Sequence, residues 1–329
     1  MKEIINPVSR DAIISELKAE AFLNHTSKGS NHLYLVDHRN APNIVREIGR
    51  LREEAFRTAG GGTGKELDLD QYDLSENHPY QQLVVWDPED QEILAGYRLQ
   101  RCIDGERDED GRLKSPTSKL FELSDKMVEE FLPVTIELGR SFVQPKYQRT
   151  AARKGLFALD NLWEGLASVM IQSPELEYMF GKVTMYPHYE REARNIILAF
   201  MRYFFPDPDQ LVRPRTPLVT EEELSPHFNL FKGLAYKQAH KVLSQEVKKR
   251  GETIPPLINS YMSLSTTMRS FGTSENPFFG SVEETGILIR FEDIDPARKE
   301  RYIKNYQEHS SEYEGPLYIP STGSNAEKA

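Results

Sequence analysis

Two short stretches of this chain carry residue types that can grip a charge or move a proton. The first is ELDLDQYD, residues 66–73, which sets Glu66, Asp68, Asp70 and Asp73 close together directly after the glycine run GGGTG (60–64). Carboxylates so close repel one another unless a cation lies among them. Asp70 and Asp73, three apart, can hold an ammonium group; the same pattern also suits a solvated acidic loop or caps for the next element. The second stretch is PVTIELGRSFV, residues 133–143, with Glu137 and Arg140. On a strand, positions three apart face opposite sides. A bulge at Gly139 would bring the two together, and a glycine inside a strand often marks one. Glu137 is then a candidate general base, directly or through a water; the alternative is an ion pair with a neighbouring arginine. The guanidinium of Arg140 forks onto carboxylates, and Asp70, Asp73 or the carboxylate of an acceptor would suit it.

Other charged positions are less specific. Arg52 lies at the edge of an apolar helical stripe, where a surface pair with Glu53 is the plain reading. Arg98 alternates with Leu99 on a strand and can be simply exposed. QPKYQRTAARKG (144–155) gathers Lys146, Arg149, Arg153 and Lys154 with no acid before Asp160, just ahead of a helix. Backbone N–H groups and the helix dipole favour anions there, so a phosphate or an acidic partner would fit; so would an ordinary solvated helix start. The eight histidines have no metal-ligand spacing, and no metal is expected. Cys102 has no evident histidine partner, which argues against an acyl-cysteine step. GGGTG lacks the Gly-Lys-(Ser/Thr) ending of a phosphate loop and reads as a flexible hinge or lid.

These residues need a scaffold, and periodicity supplies one. Residues 10–23 read as a helix and 32–37 as a strand. APNIVREIGRLREEAFR spaces Ile44, Val45, Ile48, Leu51, Ala55 and Phe56 as one face of an amphipathic helix. Strands at 80–87 and 93–102 make a hairpin around PEDQE. A strand at 133–143, a helix at 152–172, a strand at 178–185 and a helix at 189–205 follow, with PDPD stopping the last. Residues 234–250 read as a helix whose C-terminus explains the basic run VKKRG. PPLINSYMSLS and EETGILIRF read as closing strands. The order fits an α/β or α+β sheet flanked by helices. Residues 1–40 are expected as an N-terminal extension packed on the core, 41–310 as the main domain with a candidate helical insertion at 206–250, and 311–329 as a flexible tail.

Bulk properties exclude several classes. The net charge is -10 with 38% hydrophobic residues, so general nucleic-acid binding is not expected. One cysteine rules out an intrachain disulfide. The N-terminus has no apolar signal core, and the greasiest stretch, NIILAFMRYFF, is too short to span a membrane. A soluble cytoplasmic protein is expected.

Read in order, GRLREEAF (49–56) with DLDQYD, then GYRL (96–99), then ELGRSFVQPKYQR (137–149) running into GLFALDNLWEGL, resemble one family. They are similar to the hemolysin-like N-acyltransferases that begin ornithine- and glycine-type aminolipid synthesis, a branch of the GNAT superfamily. A more distant resemblance is to the acyl-homoserine-lactone synthases. IPPLINSYMSL (254–264) resembles a later segment of the aminolipid enzymes. The resemblance implies a GNAT-like fold, a central mixed and mostly antiparallel sheet flanked by helices. It implies transfer of a fatty or 3-hydroxy-fatty acyl group from acyl carrier protein (or acyl-CoA) to the amine of a small amino acid, glycine or ornithine, with no permanently bound cofactor. Glu137 and Arg140 would be catalytic. Asp70, Asp73, Arg52 and Arg98 would bind the acceptor, Arg52 as a clamp on the acidic loop. Lys146, Arg149, Arg153 and Lys154 would meet the donor. Loose membrane contact is expected because the product is amphipathic. The chain departs from the pattern in places. The acetyl-CoA loop of ordinary GNAT enzymes is replaced by QRTAARKG, Asn259 stands where a lysine is expected, LSTT stands for a Gly-Ala pair, and 206–250 match poorly. An acetyl-CoA-dependent small-amine acetyltransferase and a non-catalytic binding protein are the rival readings.

Overall fold

A computed structural model describes residues 1–148 and 153–309, apart from the side chains of Arg153 and Leu156. An eight-stranded sheet runs in the order β1-β2-β3-β4-β6-β7-β10-β9. Its strands are β1 (Phe22–His25), β2 (His32–Val36), β3 (Gln81–Asp87), β4 (Glu92–Arg101), β6 (Thr135–Val143), β7 (Tyr178–Met185), β9 (Arg269–Asn276) and β10 (Val282–Arg290). Neighbours pair antiparallel except β6 and β7, which are parallel. A two-stranded ribbon, β5 (Phe121–Leu123) with β8 (Val212–Pro214), stands apart.

Both faces are covered, so the strands read as apolar on both sides. One face carries α3 (Ala158–Gln172) and α4 (Arg191–Phe204); Leu83, Leu99, Leu138, Met179 and Val183 pack there with Leu162, Leu166 and Phe200. The other carries α2 (Pro42–Thr58), where Val84, Trp86 and Phe142 meet Ile44, Ile48 and Leu51. The apolar period read from 42–58 is what α2 buries. Its start has Pro42 in the first turn and no side-chain cap of its own. The Glu16 carboxylate of α1 (Arg10–Glu16) instead accepts from the N–H groups of Asn43 and Ile44 at 3.1 and 2.9 Å.

The sheet and its helices agree with the sequence reading, with four differences. The helix expected over 10–23 stops at Glu16, and Phe22–His25 become an edge strand. Residues 22–36 thus supply two strands of the sheet itself and are more than an extension packed on it. PPLINSYMSLS is not a strand but helix α7 (Pro256–Leu264). Proline is at home in a first helical turn, and Ile258, Tyr261 and Met262 are buried at helical spacing. Segment 206–250 contains β8, α5 (Glu221–Phe228) and α6 (Tyr236–Lys249), with Leu224, Ala239 and Leu243 in the main core. Strand β9 and α8 (Pro296–His309) were not foreseen. The expected tail lies outside the described residues. No described helix is long and apolar enough to cross a membrane.

Candidate active site

The parallel strands β6 and β7 pair only over Thr135–Leu138 with Tyr178–Gly181. Both continue beyond that point, and no pairing joins them. A cavity of about 500 Å³ opens where they part, and it reaches both faces of the sheet. On the α2 side its wall is polar, with Tyr80, Arg98, Glu137, Arg140, Lys182 and Glu284. Towards α3 and α7 it is apolar, with Leu138, Val143, Leu159, Pro255, Pro256 and Leu257.

A bulge in β6 shapes the polar wall. Arg98 pairs with Gly139 and Gly96 with Phe142, so Tyr97 alone stands opposite both Arg140 and Ser141. Arg140, not Gly139, takes the left-handed conformation, at φ 53°. The extra residue returns Phe142 to the α2 face and leaves Arg140 on the side of Glu137, where its guanidinium lies 3.9 Å from the Phe279 ring centre.

Glu137 is 2% exposed. One carboxylate oxygen accepts from the Tyr80 hydroxyl at 3.0 Å, the other from the Thr117 N–H at 3.1 Å. Among the described residues it has no ion-pair partner, so the arginine pair allowed by the sequence is not what holds it. Burial, reinforced by the charge of Glu137, pushes the Tyr80 hydroxyl well above its ordinary value, so Tyr80 stays a donor. The same two causes push up the Cys102 thiol and keep it protonated.

The acidic loop is a charge network, not a solvated loop. Asp73 is fully buried; it accepts from Arg52 and Arg98 at 3.0 Å each, from the Gln82 amide at 3.0 Å and from the Asp70 N–H at 3.1 Å. Arg52 and Arg98, 0% and 1% exposed, therefore share one counter-ion, and neither is the surface arginine the sequence permitted. With its valences filled, Asp73 is not free to take an ammonium group. Asp70 remains partly open, with its side chain 28% exposed and an oxygen 2.9 Å from Arg98. Burial works to raise the Asp70 carboxyl; the Arg98 charge, aided by Arg140, outweighs it and holds the group well below the usual range. Arg140 pairs with Asp68 at 2.8 Å and not with Asp70 or Asp73. Burial raises the Asp68 carboxyl against the pull of Arg140, Arg52 and Arg98.

The glycine run is not a hinge. The buried Glu53 carboxylate accepts from the Thr63 N–H at 3.0 Å, its hydroxyl at 2.7 Å and the Gly64 N–H at 2.7 Å, and pairs with Arg57. These bonds overcome the effect of burial and lower the Glu53 carboxyl.

The matched relatives now decide the family. Residues 51–158 match the acetyltransferase (GNAT) domain. The chain is 50% identical over 309 residues to a glycine N(alpha)-acyltransferase of Bacteroides thetaiotaomicron, covering 94% of this chain and 91% of that one. It is 48% identical over 307 residues to a glycine N(alpha)-acyltransferase of Phocaeicola vulgatus, with 93% and 94% covered. The chain belongs to the GNAT-family N-acyltransferases. No solved structure matches it.

The two described lysines of the positive patch expected at the donor end of this N-acyltransferase are paired with acids. Lys154 lies 2.8 Å from Asp87, 3.0 Å from Glu89 and 2.9 Å from Asp90, and Lys146 pairs with Glu92. All four acids come from the β3–β4 hairpin, distant in sequence, so the string of residues 144–155 does not show that these two lysines are matched. The hairpin carboxylates stand close enough to share a cation, and the Lys154 ammonium fills that place. Arg149 and the side chain of Arg153 lie outside the described residues.

Several lining residues of the N-acyltransferase escaped the sequence reading. Tyr80 and Phe279 reach the cavity from separate segments, and the Thr117 N–H holds Glu137 from a third. Lys182 and Glu284, 3.4 Å apart with side chains 9% and 5% exposed, come from β7 and β10. Gln100, the cross-strand neighbour of Glu137, is buried, and neither amide atom has a hydrogen-bond partner among the described residues. The available signal was charge on otherwise apolar strands, in YMFGKVTM and in VEETGILIR.

Proposed function

We propose that this enzyme transfers a fatty or 3-hydroxy-fatty acyl group from the thioester of an acyl carrier protein to the amine of glycine, the first step of making an aminolipid. The observation that carries the proposal is Glu137, a buried carboxylate with no cationic partner among the described residues, on the wall of a cavity that is polar at one end and apolar at the other. The names of the two relatives support glycine as acceptor. The polar end suits so small an amino acid: Arg140 and Lys182 offer charge to its carboxylate, while Glu137 faces its amine. The apolar end, between Leu159 and Leu257, suits the acyl arm.

The chemistry follows from that placement. The nitrogen attacks the thioester carbonyl carbon; the C–N bond forms and the C–S bond breaks. Glu137 takes the proton that nitrogen sheds and passes it to the departing thiolate. The Tyr80 and Thr117 donors fix the carboxylate in place and leave the carbonyl to be met by strand N–H groups freed where β6 leaves β7. The Asp73 network holds β3, β4 and the 66–73 loop around this point, and of its members Arg98 reaches the cavity wall.

The test is Glu137→Gln in the purified enzyme, with N-acylglycine followed by mass spectrometry. The expected result is a fall in kcat of about 10²- to 10⁴-fold, the usual contribution of a general base, with the melting temperature nearly unchanged. Wild-type protein that forms no N-acylglycine, or a variant as fast as the wild type, would overturn the proposal.

A further inference from the structure

The chain is acidic overall, yet one helix is strongly basic. From Phe231 to Arg250 the sequence carries Lys232, Lys237, Lys241, Lys248, Lys249 and Arg250 against the lone carboxylate of Glu246. Glu246 is already taken by Lys249 and Arg250. Lys232, Lys237, Lys241 and Lys248 are exposed and have no ion-pair partner among the described residues. At about 100° per residue, Lys237, Lys241, Ser244 and Lys248 fall within roughly 60° of one another on α6. They point away from the buried stripe of Ala239, Leu243 and Val247. The result is a ridge of four unneutralised ammonium groups along one helix and its approach.

The ridge stands next to the apolar mouth of the cavity. Helix α6 is fastened to α7 by His240 with Asn259 at 2.9 Å and by the Tyr236 hydroxyl on the Met262 carbonyl. The link between the helices is pinned by the Tyr189 hydroxyl on the Thr253 carbonyl at 2.8 Å. It leads straight into Pro255, Pro256 and Leu257, which line that mouth. The lysines described nearer the mouth, Lys146 and Lys154, are bound to the hairpin acids. Those two lysines are therefore engaged at the opening, whereas the four ammonium groups of the ridge have no ion-pair partner among the described residues.

We infer that α6 is the docking surface for the acidic protein that delivers the acyl thioester. This deepens the proposed reaction and rests on it. The large apolar side chains exposed elsewhere among the described residues, such as Tyr203 and Phe278, have no counterpart on α6. A helix lying in a bilayer needs such an apolar anchor beside its lysines, so an acidic protein face is the better fit. Long-range charge would steer it to the ridge, and a flexible phosphopantetheine arm would cross to the mouth.

The test compares the full-length enzyme with Lys237→Glu/Lys241→Glu/Lys248→Glu. Binding of acyl carrier protein is measured by fluorescence anisotropy, and transfer to glycine is measured from the carrier and from an acyl-N-acetylcysteamine thioester. Expected are binding at least about tenfold weaker, a matching rise in the carrier KM that flattens its salt dependence, and an unchanged rate with the small thioester. Unchanged carrier binding, or no binding by the wild type, overturns the inference. It is equally overturned if the substitutions abolish binding to phosphatidylglycerol-containing vesicles and leave carrier binding intact, which assigns the ridge to a membrane. A wild type that binds the carrier but acylates no glycine from either thioester removes the proposed reaction and leaves the docking result standing.

Discussion

Asp73 is where the network is most exposed to test. Its carboxylate is the only counter-ion of Arg52 among the described residues, since the other bond of that guanidinium goes to the neutral Gln82 side chain. Arg98 is different, because it also has Asp70. Asp73→Asn keeps the shape of the site and removes the charge, which strands the Arg52 cation at 0% exposure. Breaking a buried pair by removing one partner costs about 3–5 kcal/mol. Against a total stability on the order of 5–15 kcal/mol, that is a large share. Replacing both partners, in Arg52→Met/Asp73→Asn, removes the stranded charge, so the double variant is expected to lose less than the sum of the single losses, by about 1–3 kcal/mol. Chemical denaturation of the four proteins, with near-ultraviolet circular dichroism to check the fold, measures both quantities. A single Asp73→Asn loss below about 1 kcal/mol, or strict additivity, would refute the view that Asp73 is a structural counter-ion and would restore it as a candidate grip on the acceptor amine.

The remaining predictions concern neighbouring groups. The Asp70 carboxyl is lowered in the folded protein, so its contribution to stability is fully present above the unfolded value of about 3.9 and fades as the pH falls towards the folded value. The melting-temperature gap between wild type and Asp70→Asn should hold from pH 8 to about 5 and close under stronger acid; a gap that widens on acidification contradicts the assignment. Lys182→Gln should raise the KM for glycine roughly 10- to 100-fold, the worth of a charged hydrogen bond, and should abolish the preference for glycine over glycinamide, with kcat little changed. A preference that survives removes Lys182 from carboxylate recognition. Gly181 stands at the last β6–β7 pair, and a Cβ there would lie 2.7 Å from the Leu138 carbonyl oxygen. Gly181→Ala should cost about 1–3 kcal/mol and slow transfer, and a variant with unaltered melting and kinetics would show that the strands can part elsewhere.

Much of the scaffold was legible because it follows from periodicity. The stripe Ile44, Ile48, Leu51 and Ala55 has one arrangement that buries it, and α2 adopts it. PPLINSYMSLS failed for a local reason: β-like residue types in a short apolar run do not separate strand from helix, and the packing of Ile258, Tyr261 and Met262 settles the matter. Charge was misread in a more instructive way. The segment 144–155 is basic as a string, but the acids that pair with Lys146 and Lys154 are about sixty residues away on the β3–β4 hairpin. The run VKKRG reads as a helix end satisfying its own dipole, and Lys249 and Arg250 do pair with Glu246, but Lys232, Lys237, Lys241 and Lys248 have no ion-pair partner among the described residues. Neutralisation is a tertiary property, so a charge run in sequence says what must be matched and not whether it is.

The bulge in β6 shows the opposite case, a site feature that a single residue did announce. Glycine at 139 suggested an irregularity, and the geometry gives the reason one is needed. Without an extra residue, Arg140 would point to the α3 face with Leu138, and Phe142 would leave the α2 core where it now packs. Two demands therefore meet at one position: an apolar ring must return to the α2 side, and the Arg140 cation must reach Asp68 on the face that carries Glu137. One inserted residue meets both, with Arg140 taking the uncommon φ of 53°. The same irregularity coincides with the end of pairing to β7, so the bend that places the cation lies where the cavity opens. The geometry of the candidate site and strand divergence then have a common cause, and a change that regularises β6 should disturb both together.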